Sequence, residues 1–270
     1  MTAKRPRLSR EGLRELLVET GGSILREDGL GTGAETVTFK KVFDRVEEET
    51  GIRLTNASVI RRVWKNQSEF QADVLVAIAL KENSYEIDLN VNAVVPVLSN
   101  VDFTSPESRE EAMRELCRVG GAASLQTFRK STNWPSWIGM WRLVDSGEPL
   151  EDFKDVEAAL VSGYDAVNAR LEEVYAAMIG FLGYRLRERL TLRQFAIAAD
   201  SLGRGCGLRD RIDHSDMEGI VRATGPGGAA QEWTLFAIAF EALVQTFFEI
   251  DPNWVPNLNG VTHSEDPPRA

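Results

Sequence analysis

Histidine and cysteine are scarce in this chain, with two of each among its 270 residues. Cys117 and Cys206 stand far apart without Cys-x-x-Cys spacing, which excludes a disulfide framework, a zinc knuckle and a thioredoxin-like redox motif. His214 and His263 lack the spacing of a metal site, and the neighbours of His214, Asp213 and Ser215, do not make a triad, which is a spatial arrangement. Long apolar runs are also missing. The longest, Val74 to Leu80, falls well short of the roughly 20 residues that cross a bilayer, so no membrane partner is expected. The basic start, with Lys4, Arg5, Arg7 and Arg10, is not followed by an apolar stretch of the kind found in signal peptides, and a cytoplasmic location is the expectation.

Positive charge is in the minority, 31 Lys and Arg against 41 Asp and Glu, for a formal charge of −10. Taken as an average, that balance speaks against nucleic acid, whose phosphates reward a positive surface. No catalytic constellation stands out either. Acidic pairs such as Glu110-Glu111 and Glu172-Glu173 occur where solvated helix faces occur. Gly225-Pro226-Gly227-Gly228 lacks the Gly-Lys-Ser/Thr ending of a phosphate-binding loop, follows no recognisable strand, and is read as an interhelix loop. The sequence thus predicts neither an enzyme nor a bound cofactor or metal.

What is present is helical periodicity. Apolar residues recur at helical spacing in nearly every long segment, and no stretch alternates convincingly as a half-buried strand does, so the expected class is all-α. Leu13, Leu16, Leu17, Ile24 and Leu25 mark a first helix over about 11–27. Thr38 caps a second, with Phe39, Val42, Phe43 and Val46 as its stripe and Gly51 at its end. A short third helix is predicted over about 56–64, and a fourth capped by Ser68 and running through Val74, Leu75, Ile78 and Ala79. Further helices are expected at roughly 107–130, 134–146, 153–189, 191–212 and 229–250, with a proline-rich tail over 251–270 tacked down by Trp254.

The third helix carries the most information. On a helical wheel Val59, Ile60, Val63 and Trp64 form one apolar face, while Thr55, Ser58, Arg61, Arg62 and Lys65 lie opposite, with Asn56 placed as a cap. From Thr50 through Ser68 there is no Asp or Glu, in a protein where acids are in excess. A helix that enters a major groove needs one face anchored to its own domain and another offering donors and positive charge to base edges and phosphates. The preceding helix and the turn at 51–54 complete a helix-turn-helix outline, with Lys40 and Lys41 near the flanking phosphates. A solvated charged face accounts for a basic helix taken alone.

Charge divides along the chain in the same sense. Residues 1–80 hold thirteen basic and twelve acidic side chains, and residues 81–270 eighteen and twenty-nine. The expected organisation is therefore a helix-turn-helix domain at 1–80, a helical domain at 81–250 and the tail at 251–270.

Residues 11–80 resemble the N-terminal domain of the tetracycline-repressor-like (TetR/AcrR) transcriptional regulators. The resemblance rests on Gly51-Ile52, then Asn56-Ala57-Ser58-Val59-Ile60-Arg61-Arg62-Val63-Trp64, then Lys65 and Ser68-Glu69-Phe70. The sequence departs from that family where Arg61 replaces a tyrosine, where Val63 replaces a histidine, and in the additional Arg53-Leu54-Thr55 of the turn. A second echo runs from Leu190-Thr191-Leu192 to Ser201-Leu202-Gly203-Arg204-Gly205-Cys206-Gly207-Leu208-Arg209, similar to the family's penultimate helix. The resemblance implies a three-helix DNA-binding unit followed by a ligand-binding helical bundle, a double-stranded operator, a small-molecule effector, repression as the usual sign, and a two-fold dimer.

Two further clusters enter on that reading. Phe128, Trp134, Trp137 and Trp141, with Tyr175 of the long helix, are candidates for the effector pocket, since aromatic-lined cavities between helices hold small ligands, although aromatics at such spacing also fill cores. The last helix, expected over 232–249, is apolar on nearly all sides, which requires cover from its own bundle and from a partner, or complete burial in a large monomer. Phe195, Leu202, Trp233, Phe236, Phe240, Leu243 and Phe247 are the candidates for a homodimer interface. The competing expectation is an all-α dimeric interaction or ligand-binding protein whose helix-turn-helix outline does not read DNA.

Overall fold

The computed structural model of the chain describes residues 8–28, 37–55, 59, 62–80, 84–99, 101–131, 139–140 and 154–256. Among these the chain is mainly helical, and it divides into two compact units. One comprises residues 1–83 with 130–167, the other 84–129 with 168–270.

In the first unit, α1 (Arg10–Asp28) begins where Ser9 Oγ accepts the Gly12 N–H, and it buries Leu13, Leu17, Ile24 and Leu25 on one face. α2 (Phe39–Thr50) follows the sequence expectation closely. Thr38 accepts the Lys41 N–H, the Phe39, Val42, Phe43, Val46 stripe is buried, and Gly51 ends the helix at φ 67°, a conformation that costs a residue without Cβ little. α3 (Gln67–Leu80) packs on α1. Its cap differs from expectation, because Ser68 lies inside the helix. Asn66 Oδ1 accepts the Glu69 N–H, so the cap sits two residues earlier than predicted, and Glu69 Oε2 accepts the N–H of the preceding Lys65. The first part of α6 (Lys154–Leu182) adds Val156, Ala159 and Leu160 to this core.

The second unit holds α4 (Ser84–Leu98), α5 (Pro106–Lys130) up to Arg129, and the rest of α6. They are followed by β1 (Tyr184–Leu186), α7 (Leu192–Ile212), β2 (Ile220–Arg222), β3 (Gln231–Trp233), α8 (Leu235–Phe247) and β4 (Phe248–Ile250). β1 pairs antiparallel with β4, Tyr184 opposite Ile250, and β2 with β3, Ile220 opposite Trp233.

These strands correct three expectations. The long helix does not reach 189. It ends at Leu182, because Gly183 turns the chain at φ 68° into β1. The last helix is shorter than 232–249, since Thr234 caps it and Trp233 and Phe248 on either side are drawn into extended pairing. Pro226–Gly228 is a 3₁₀ turn between the two strands of a hairpin, so the glycine-rich segment does follow a strand and is not an interhelix loop. α7 matches expectation and opens with a full capping box between Thr191 and Gln194. Trp254 ties down the chain after β4, with Nε1 donating to Gly180 O at 2.9 Å and its ring covering the Arg109 guanidinium at 4.9 Å.

Candidate functional sites

In the first unit the aromatic residues set the geometry. Phe39 of α2 stacks on Phe70 of α3 at 4.9 Å, and Trp64 meets Phe70 edge-on at 4.8 Å. Val59 is 0% exposed and Trp64 4%. Two of the apolar positions predicted for the third helix are thus in the core, with Val63 packed against it part-buried. The helix expected over about 56–64 does not reach its end: residues 62–63 form a turn and Trp64 sits in a bridge, while 56–58, 60 and 61 lie outside the described residues. Trp64 is fixed further by its indole N–H, which donates to Asp73 Oδ2 at 2.7 Å, the oxygen that also accepts from Arg14 Nε. Two side chains of α3 hold the start of α2: Gln67 Oε1 accepts the Phe39 N–H, and Gln71 Nε2 donates to Val37 O.

The polar residues around this core face outward. Lys40, Lys41, Thr55, Arg62 and Lys65 are all exposed. Asn56, Ser58 and Arg61 lie outside the described residues. Several of the cations carry acid or carbonyl partners: Lys41 Nζ is 3.1 Å from Asp28, Lys65 Nζ 3.3 Å from Glu69, and Arg62 Nη2 donates to Leu8 O. Arg45 forms a fork with Glu27, whose carboxyl is held below its usual range by that hydrogen bond. Lys40 has no acid partner among the described residues.

In the second unit an apolar cleft of about 100 Å³ lies among α4, α5, α6 and α8. Val91 and Val94 come from α4, Leu116, Gly121 and Ser124 from α5, Val174, Tyr175 and Met178 from α6, and Phe236 and Phe240 from α8. α5 and α8 cross so closely that a Cβ on Gly121 would fall 2.6 Å from that of Ala237, and this approach brings Phe236 and Phe240 to the cleft. Tyr175 stands at its aromatic base, edge-on to Phe195 at 4.9 Å and 6.0 Å from Phe240. Burial pushes the Tyr175 hydroxyl well above its usual pKa, so it is a neutral donor throughout the physiological range.

Of the effector candidates, Tyr175 lines this cleft. Phe128 does not. Its ring packs on Gly203 and Gly207 of α7, and its carbonyl accepts from Arg211. Trp134, Trp137 and Trp141 lie outside the described residues. Sequence reading missed the contributions of α4 and α5. Ile87, Val91 and Val94 stand at i, i+4, i+7, and Leu116, Gly120 and Ser124 at i, i+4, i+8, a pattern that small residues on α5 obscure.

The interface candidates require a correction. Phe195, Trp233 and Phe236 are 1%, 2% and 6% exposed, filling the core of their own unit, and so cannot form a surface for a partner. Phe240 faces Tyr175, and Phe247 is 5.4 Å from Phe195. Leu202 and Leu243 are half-buried. On α7 and α8 the large apolar side chains that face outward are Leu208 and Ile212 on the last turns of α7 and Leu235 at the start of α8, while elsewhere in the unit Val95, Phe181, Val221 and Val255 are exposed as well.

A buried ion pair anchors α7 to α5. Arg129 makes a bidentate contact with Asp210, which is fully buried, and the hydrogen bonds hold the Asp210 carboxyl below its usual range. His214, one turn later and exposed, places Nδ1 3.3 Å from the same carboxylate. Among the described residues no three of His, Cys, Asp and Glu come together as a metal site, and no helix is long and apolar enough to cross a membrane. No protein-family model matches the chain, and no curated protein matches it.

Proposed function

We propose that the protein is a DNA-binding transcriptional regulator, a repressor, that docks a helix-turn-helix formed by residues 38–65 on an operator and is released by a small-molecule effector. The observation that carries this reading is sidedness. Val59 and Trp64 are in the core, while Arg62 and Lys65 are exposed in the acid-free segment that contains all four. A groove-reading element needs an anchored face and a donor face, and Gln67 and Gln71 fix the N-terminus of α2, with Lys40 and Lys41, beside it. The effector site is the apolar cleft around Tyr175, which at about 100 Å³ has to widen to admit a ligand, and effector and operator affinities are reciprocally linked. The regulator works as a homodimer, as two-fold operators require, and the exposed Leu208, Ile212 and Leu235 are the surface it uses.

One observation favours a second reading, a dimeric ligand-binding protein that does not read DNA. Lys41 and Lys65 are both paired with acids, which subtracts from the charge offered to phosphate. Selection of duplexes from a random library by the full-length chain separates the two. Enrichment of an inverted-repeat sequence supports the regulator, and a pool that stays random after repeated rounds removes it.

A further inference from the structure

A second cleft, of about 390 Å³, opens in the second unit where α5, α8 and the β1–β4 pair meet. Its lining differs from that of the apolar cleft. Met113, Cys117, Val244 and Phe248 provide an apolar wall, and Arg114, Tyr184 and Arg187 bring donors to it.

The charges are arranged asymmetrically. Glu241, almost fully buried, is held by Arg114 Nε at 3.3 Å and by Arg222, and Glu249 is held by Arg185 at 2.7 Å and Arg187 at 2.9 Å. Each of these carboxylates therefore has two arginines, and donors are left over. Arg114 uses only Nε, so both of its terminal nitrogens lack an acceptor among the described residues. Arg187 uses Nε on Gln245 O and Nη1 on Glu249, which leaves Nη2. The Tyr184 hydroxyl has no protein acceptor among the described residues either, and burial pushes its pKa up to about 12, so it keeps its proton. The lining itself holds two arginines, Arg114 and Arg187, and three carboxylates, Glu110, Glu241 and Glu249, so what the cleft offers an anion is its unused donors and not a surplus of positive charge.

We infer that this cleft binds an organic monocarboxylate with an apolar body, its carboxylate on the free nitrogens of Arg114 and Arg187 and on the Tyr184 hydroxyl, its body on Met113, Val244 and Phe248. An arginine whose planar face is already fixed by a buried carboxylate is preorganised for a second oxyanion, and a guanidinium with two free terminal nitrogens matches carboxylate geometry. A volume near 390 Å³ is within the ordinary range of small-molecule sites. This site is separate from the apolar cleft around Tyr175 and does not depend on the regulator reading.

The test is calorimetric titration of the full-length protein with 4-phenylbutyrate, 4-phenylbutyramide and 4-phenylbutylamine, which share a body and differ in charge. The acid is expected to bind at least tenfold more tightly than the amide, and the amine not at all. Arg187→Gln, a change at a half-exposed side chain, should weaken the acid at least fivefold with the thermal transition retained, and Tyr184→Phe should weaken it less. Ser124→Phe, which fills the other cleft, should leave acid binding unchanged, and Val244→Trp should abolish it. Equal binding of acid and amide, preference for the amine, loss of binding in Ser124→Phe but not in Arg187→Gln, or no heat at millimolar acid each overturn the assignment.

Discussion

Trp64 and Asp73 are joined by a 2.7 Å hydrogen bond from indole N–H to carboxylate, and Arg14 of α1 donates to the same oxygen. One carboxylate on α3 therefore fixes both the end of the acid-free segment and the helix that packs across it. Asp73→Ala leaves the Trp64 N–H without its acceptor in a part-buried position, which should cost about 2 kcal/mol in urea denaturation. Trp64→Phe keeps most of the ring packing against Phe70 and should cost about half as much. An unchanged midpoint in Asp73→Ala means that the bond contributes nothing to the first unit.

The Arg129–Asp210 pair makes the second unit acid-labile. The folded-state pKa of Asp210 lies below its unfolded value, so its contribution is complete above the ordinary aspartate range, near pH 4, and is lost as the pH falls through the depressed folded value. Asp210→Asn leaves the largely buried Arg129 facing a neutral amide, with the half-exposed Glu218 at 2.7 Å as its remaining carboxylate, and should destabilise by roughly 2 kcal/mol at neutral pH, with a flatter stability profile below pH 4 than the unmodified chain. A variant as acid-sensitive as the parent assigns the lability to other carboxylates.

Trp254 closes over Arg109, a buried arginine whose Nη1 reaches the carbonyls of Leu182 and Gly183 at 3.4 and 3.3 Å. Trp254→Ala removes the ring and the bond to Gly180 O and opens Arg109 to water. A loss of about 2 kcal/mol is expected, within the range for a partly desolvated cation–π contact and a hydrogen bond together. Hydrogen exchange should quicken at the amides of Gly183 and Asp251, and protection that stays at the parent level rules the latch out.

These relationships differ in how far they could be read in advance. The stripe of α2, its Thr38 cap and its Gly51 ending were legible because each is local, set by residues within one or two turns. Trp254 was legible as an anchor because an indole in a polar, proline-rich stretch has little else to do. The short strands were not. Tyr184–Leu186 and Phe248–Ile250 are three residues each, too short for alternation to register, and their pairing joins positions more than sixty residues apart. The apolar cleft was legible only at Tyr175, since Gly121 and Ser124 matter there by being small, and smallness gives no hydrophobic signal. For Phe195, Trp233 and Phe236, periodicity marks an apolar face without saying whether the chain itself covers it, and here it does.

The dimer reading makes its own prediction. Leu208→Glu with Ile212→Glu places charge on the outward apolar residues of α7 and leaves the core untouched, so it should give folded monomers in sedimentation velocity while the parent sediments as a dimer. A parent that is monomeric at all concentrations, or a dimer that tolerates both charges, contradicts the assignment of this surface.

The central claim is tested most directly by the salt dependence of affinity for duplex DNA from the region flanking the protein's own coding sequence, measured by fluorescence anisotropy with the full-length chain. The account predicts specific binding with a steep log–log slope, made shallower by roughly one unit in Lys40→Ala or Arg62→Ala at unchanged thermal stability. Absence of binding at the lowest salt, or a slope that neither substitution alters, contradicts it.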